Sequence, residues 1–587
     1  MTILPNAPIN SGTGLPIPTI AVATDGGVSV IKDDGNVFDI YRTSDDDVHL
    51  VAFDDDRVIM FMELGGIYVA TIPSGNQSGN PNAAWSVYGT YSANTSGTNY
   101  PKVLGNSHGA DLVSMKDHIF ANAGTNSGDD KYKGLSILAQ NVGSSGNGMV
   151  AWIKKDFNSG WMHGNCKGAF LSDTDDTNLT GSQLVTNGDF SNGTTGWTAN
   201  NASLSASSGV LTVNDSAGAG ADSQAYRSVT GLTVGKVYNV GVRHKSNTQH
   251  RLWIGTGSGP LGGGNVITNT YISSYATDWT NDYYTFTASS TSVTVALQVD
   301  GNGTAYYNWV YINESVDDDR SINGNPLQVI GTVNKTAVAT GAELVSYSNF
   351  STSNYLTQLH NSDMQTGTGD FSISCWFKTT GTDNSYEGLI FYNSAGSIND
   401  GFQLMMNDTG SNKGLYFYVY GASTDVNSDY VLGLNDGNWH FSVSTYTSSQ
   451  IQMYVDGELK NTKAHSTGSI ANSTAQLTIG RWFGNTSAAY HFRGDLALVR
   501  HSASVPSPEQ VKKMYDDEKD LFIENAKCTL YGSSNAVTAV AFDDSNDNLH
   551  AGTSGGRSDF VGLNRINNTT TAVTTAISAS NGLIIEQ

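Results

Sequence analysis

The sequence predicts an all-β chain: a propeller-like ring of about five blades, closed by its N- and C-terminal strands, with two β-sandwich or jelly-roll domains inserted in it. Three observations predict it. Short apolar or alternating runs, each ending at Gly or Asp, follow one another over residues 18–73: TIAVATDGG, VSVIKDDG, NVFDIYR, VHLVAFDD, RVIMFMELG and GIYVATIP. The same rhythm returns after residue 535, where AFDDSNDN at 541–548 repeats the AFDDDR of 52–57. Between the two ends lie long segments with the texture of larger sandwiches.

Residues 1–179 hold the N-terminal blades, the rhythm continuing in ADLVSMKD, HIFANAG, GLSILAQN and MVAWIKKD. Strand, Asp-rich turn, strand and Gly turn recur at roughly forty-residue spacing, as in blades that need neighbours to bury both faces. Residues 180–316 form the first insert and 346–504 the second. The bridge between them, 317–345, has blade texture and is assigned to the ring. Residues 505–587 return to the ring through a connector helix at about 508–524. There Ser507 caps, Pro508 takes the first helical position and Gln510 completes a capping box. Val511, Met514, Tyr515, Leu521 and Phe522 form its buried stripe. The final NGLIIEQ is one apolar strand without a partner of its own, so residues 583–585 are expected to complete the first blade.

A formal charge of −23, from 30 basic against 53 acidic residues, repels phosphate backbones and anionic lipid, so no nucleic-acid partner and no membrane insertion is expected. Cys166, Cys375 and Cys528 are too far apart for metal-ligand spacing or a disulfide framework. Cys375, in FSISCWFK, reads as a small buried hydrophobe. The opening MTILPNAPINSGTGLPIPTI lacks a basic n-region and a long apolar h-region, so no Sec signal peptide is expected. GNSHG at 105–109 and GTSGG at 552–556 match G-x-S-x-G, but among 65 glycines such matches arise by chance, and neither stands between a strand and a long helix. No HExxH or E-x-D-x-x-E occurs. The chain is expected not to be an enzyme, although distant carboxylates would leave a depolymerase open. Asp544, Asn546 and Asn548 alternate as in a calcium loop, but the following Gly and distant Glu are missing. Asx-bonded hairpin turns are the favoured reading, and neither metal nor cofactor is expected.

The first insert opens LVTNGDFSNGTTGWT and closes AYYNWVYINE. It resembles the carbohydrate-binding modules of families four and nine, which are galactose-binding-like jelly rolls. The resemblance implies a structural calcium near both ends, an expectation weakened by Asn308 standing where the family has a carboxylate. It also implies sugar contacts, with aromatic rings stacking and polar groups bonding hydroxyls. The candidates are Tyr226, Arg243, His244, Arg251, Trp253, Tyr275 and Trp279. For each, a core role competes, because alternating aromatics usually fill cores. Trp197 and Trp309 read as core. The second insert carries FSISCWFK, GNWHFSVSTY, IQMYVDGEL and FRGDLALVR in order and resembles a concanavalin-like, laminin-G-like sandwich. Trp376, Trp439 and Trp482 are expected between its sheets and His440 at its surface, and the position of a sugar site is not readable.

The chain as a whole resembles multidomain tail proteins of bacteriophages, in VNKTAVATGAELVSYSNFS, YDDEKDLFIENAKCTLYG and NAVTAVAFDD followed by LHAGTSGG. The resemblance implies a virion component on the tail exterior that contacts host-surface glycan and other tail proteins. A homo-oligomer, guessed to be a trimer, is expected. A purely structural role for both inserts remains the alternative, beside the depolymerase.

Overall fold

The computed structural model describes residues 1–4, 7–41, 48–54, 57–62, 66–78, 86–88, 111–124, 133–141, 144–181, 183–215, 223–246, 248–257, 259–260, 266–272, 279–300, 302–321, 323–358, 364–365, 367, 369–381, 386–394, 401–408, 413–421, 425–466, 470, 475–482 and 490–587. The chain is all-β, with Pro508–Glu518 the single α-helix among the described residues.

Small meander sheets form the two ends of the chain. The first runs Ile20–Thr24, Gly27–Ile31, Val37–Tyr41 and the second Val48–Asp54, Arg57–Met62, Gly66–Thr71, Ser86–Tyr88. The third runs Asp111–Ser114, Ile119–Gly124, Gly134–Ala139, Met149–Ile153, and the fourth Val537–Asp543, Asn548–Thr553, Gly556–Val561, Asn564–Asn568. Their first strands pack side by side in chain order, so the third sheet meets the fourth across the long interruption. The repeated AFDD phrase has a physical role here. In both copies the phrase ends the first strand of a meander, and its first aspartate reaches into the next sheet. The Asp54 carboxylate pairs with Arg57 and lies 2.9 Å from His118 Nδ1 in the third sheet. The Asp543 carboxylate accepts from the backbone of Asn581 at 3.1 Å and Gly582 at 2.6 Å. Lys116 links the third and fourth sheets, donating to Asp544 O at 2.6 Å.

The expected closing strand is corrected. Leu583–Glu586 pairs with Ile577–Ser580, and the place beside Ile20–Thr24 is taken by Thr2–Ile3. Asn581 and Gly582 have φ of 52° and 76°, as a two-residue hairpin turn requires. That Asn-Gly turn folds the last strand back locally.

The first sandwich packs two five-stranded sheets around Phe190, Trp197, Val240, Leu252, Val295 and Tyr307. One sheet holds Ser223–Thr230, Ser292–Val299 and His250–Gly255; the other holds Thr304–Asp317, Val237–Ser246 and Thr280–Thr287. The NGDF…GW stretch closes one end: Trp197 Nε1 donates to Asn187 O at 3.1 Å, and the Asn187 amide donates to Gly193 O and Thr195 O.

The second sandwich is larger than its insert. Leu327–Ala337, expected to belong to the ring, pairs instead with Tyr355–Gln358 of this sandwich, and Val345–Ser348, of which Val345 is expected in the ring, pairs with Gly494–Ser502. Leu327, Val329, Val345 and Tyr347 fill its core, which is the physical reason. Cys166–Phe170, expected among the N-terminal blades, also joins it through Gly494–Ser502. All three cysteines are buried; burial pushes the Cys375 thiol up to about 12.

The capping box forms as expected, with Gln510 N donating to Ser507 Oγ at 3.2 Å. The helix ends at Glu518, and Lys519–Leu521 continues as a 3₁₀ turn. It lies between the third and fourth meanders and the outer face of one second-sandwich sheet. Val511, Met514, Leu521 and Phe522 pack there with Trp161, Trp376, Phe441 and Val443. Trp376 therefore stacks on Phe522, at 4.2 Å between ring centroids, and not between the sheets. Glu518, wholly buried, joins the three parts. It pairs with Arg500, accepts from Trp376 Nε1 at 2.7 Å and accepts from the Trp161 backbone at 2.8 Å.

Candidate functional site

The seven sequence candidates do not converge. Tyr226, Arg251 and Trp253 share the outer face of one first-sandwich sheet, while Arg243 and Trp279 belong to the opposite sheet's outer side. His244 lies in the core between them, and Tyr275 lies outside the described residues. His244 is a correction. It is fully buried, with Nδ1 at 2.6 Å from His250 Nε2, because its strand parity points it inward with Val240 and Val242.

On the first face, register places Tyr226 and Trp253 on either side of Ala296. One row further, the Gln224 amide donates to Gln298 at 3.0 Å, the Gln298 amide donates to Asp300, and Arg251 pairs with Asp300 at 3.0 Å. Trp253 is buried, and its indole N–H has no partner among the described residues.

The opposite face carries more ring surface. The register between Val237–Ser246 and Thr304–Asp317 shifts at Arg243 and His244, which face Trp309 and Tyr307 and leave Asn308 as the extra residue. The bulge puts Tyr306, Trp309 and Tyr311 outward while Tyr307, Val310 and Ile312 fill the core. Trp309, expected in the core, is therefore half-buried and stacks on Tyr311 at 5.4 Å. Gly241 makes room for this: a Cβ there would meet the Tyr311 ring at 2.3 Å.

The second sandwich has one sheet covered by the helix and the third and fourth meanders, and an aromatic cluster on the outer side of the other. In Lys413–Val419, Leu415, Phe417 and Val419 point into the core, so Tyr416 and Tyr418 point out, followed by Tyr420. Tyr418 and Tyr420 lie 4.4 Å apart and Tyr416 meets Tyr430 at 4.9 Å. Trp482, expected between the sheets, lies on this face against Phe391 at 5.9 Å and Tyr490 at 4.8 Å. Trp439 is also outside that core, its Nε1 donating to Val338 O at 2.9 Å. Tyr386 and Tyr430 are exposed, and burial raises the phenol pKa of Tyr416 and Tyr418. Beside the face, buried Glu387 pairs with Lys413 and Arg493, so its carboxylate is already engaged by two cations. His440 is held between Asp456 at 2.8 Å and Asp436 at 3.2 Å.

Residues 350–512 are similar to the concanavalin A-like lectin/glucanases superfamily. No curated protein matches the chain. Among solved structures, domain 4 of an extracellular GH43 arabinanase from Geobacillus stearothermophilus, in complex with arabinotriose, is 13% identical. It covers 32% of this chain and 88% of its own, with a TM-score of 0.25. The CBM40 of a Ruminococcus gnavus IT-sialidase bound to α2,3-sialyllactose is 15% identical over 25% of this chain and 82% of its own, with a TM-score of 0.21. A heptameric SAP-like pentraxin from Limulus polyphemus is 12% identical over 26% and 72%, with a TM-score of 0.22.

Sequence reasoning missed the tyrosine face of the concanavalin A-like sandwich, although its signal was present. LYFYVY at 415–420 alternates core residues with tyrosines at a period of two. Among the described residues no group of three His, Cys, Asp or Glu gathers as metal ligands. Asn308, at the weakened calcium position, donates its amide to Gly209 O at 3.0 Å.

Proposed function

We propose that the protein recognises host-surface glycan without cleaving it, as a component of a bacteriophage tail exterior. The observation that carries the glycan reading is the outward-facing group of Tyr418, Tyr420, Tyr430 and Trp482, with Tyr416 packed beneath Tyr430, on a concanavalin A-like sandwich. Flat rings accept the apolar faces of sugar rings, and phenol hydroxyls serve as bonding groups at their edges. The tail assignment rests on the sequence resemblance in the bridge, the connector helix and the last meander. In this reading the chain works beside other tail proteins in several copies, as a homo-oligomer for which a trimer is the working assumption. Repetition then raises avidity without new contacts.

The test is binding of the intact chain to a panel of bacterial surface polysaccharides, alongside a Tyr418→Ala, Tyr420→Ala variant. Saturable binding that weakens about tenfold in the variant is expected. No binding by the folded chain would leave both sandwiches as structural decoration. Release of new reducing ends would make the protein a depolymerase.

A further inference from the structure

We infer that the outer face of the first sandwich around Arg243 and Lys245 binds an anionic polysaccharide, one whose sugars carry carboxylate or sulfate. This goes beyond the tyrosine face of the second sandwich and does not depend on it.

Charge sets this face apart. The chain has 53 acidic residues against 30 basic ones, and its half-buried or buried cations commonly have carboxylate partners. Arg57 meets Asp54, Arg251 meets Asp300, Lys335 meets Asp173, Arg500 meets Glu518 and Arg557 meets Asp559. Arg243 and Lys245, two residues apart on one strand, form no ion pair among the described residues. Aromatic rings hold them instead. Arg243 lies 5.5 Å and Lys245 5.0 Å from the Trp279 ring centre, and Lys245 lies 5.3 Å from that of Tyr306. Ring faces position a cation without neutralising it, so no carboxylate among the described residues cancels either charge.

The neighbouring surface selects the ligand. The bulge at Asn308 turns Tyr306 and Trp309 to the same side, and Trp309 extends the ring surface to Tyr311. A pyranose lays its C–H face on such rings while a carboxylate or sulfate at its edge reaches the cations. The net charge of −23 does not forbid this. At 0.1 M salt, charges farther than about 10 Å away are largely screened, so the local pair governs.

The experiment titrates the intact chain with polygalacturonate, chondroitin sulfate, neutral dextran and single-stranded oligothymidylate. An Arg243→Gln, Lys245→Gln variant and the Tyr418→Ala, Tyr420→Ala variant run beside it. Saturable binding of the two acidic polysaccharides is expected, with little for dextran or oligothymidylate. The Arg243, Lys245 variant should bind the acidic polysaccharides about tenfold more weakly or worse, while keeping its melting temperature. Added salt should weaken binding, and the tyrosine variant should bind the acidic polymers as the parent does. Absence of acidic-polysaccharide binding, or undiminished binding in the Arg243, Lys245 variant, overturns the proposal. Equal binding of oligothymidylate also overturns it, because the face would then be a general polyanion patch. Loss in the tyrosine variant alone places acidic-glycan binding on the other sandwich and overturns it too.

Discussion

The two sandwiches are built alike and are joined to the rest of the molecule in opposite ways. The first keeps a core of its own, and its chain enters and leaves side by side, Leu184 N donating to Ile312 O at 3.0 Å. The second has one sheet face buried under the helix and the third and fourth meanders, with Glu518 bonded to Arg500, Trp376 and Trp161. Its opposite sheet carries the tyrosine cluster away from that contact. A shared architecture therefore serves one domain as an attachment and the other as the piece that unites the scaffold.

The largest effect expected from this contrast is at Glu518. Glu518→Ala leaves Arg500 buried without its counter-charge and removes the bond to Trp376, at a cost of about 3–5 kcal/mol. Scanning calorimetry should show the transition of the second sandwich and meanders falling while that of the first sandwich stays in place. Movement of both together would erase the contrast. Trp197→Ala is the reciprocal change. It opens the end of the first sandwich at a cost of about 3 kcal/mol, and it should lower only that domain's transition.

A smaller effect separates the regions by pH. Burial pushes His163 down to about 4 and His501 to about 3, so both are neutral in the fold. The unfolded chain binds their protons near pH 6.5, and between that value and the depressed ones it holds more protons than the native state. Their contribution is complete above pH 6.5 and is lost as pH falls, on the order of 1 kcal/mol per pH unit for each histidine. Melting the chain at successively lower pH should show this slope in the second-sandwich transition. His501→Phe, which keeps the aromatic packing around Phe371 and Phe402, should reduce the slope; an unchanged slope would assign it to other groups.

What the sequence revealed depended on how local each signal was. The capping box at Ser507 and Gln510 needs four consecutive residues and was read directly. The strand alternation that gives the all-β class is equally local. Residues 583–586 fold back on their neighbours because the Asn-Gly turn at 581–582 is a stronger local signal than a distant strand edge. His244 and Trp309 were misplaced because strand parity decides inside from outside, and the bulge at Asn308 resets that parity in one strand. The roles of Trp376 and Glu518 had no local signal at all. Their partners lie 142 and 357 residues away in sequence, and only the folded chain brings them together.

The strand Thr304–Asp317 has a consequence for both sandwiches at once. Its first part lies in the first sandwich, and its end pairs with Gln328 and Leu327 of the second. One continuous strand, bent at the Asn308 bulge, therefore takes part in the sheets of both domains, so they are joined by shared hydrogen bonds at this point.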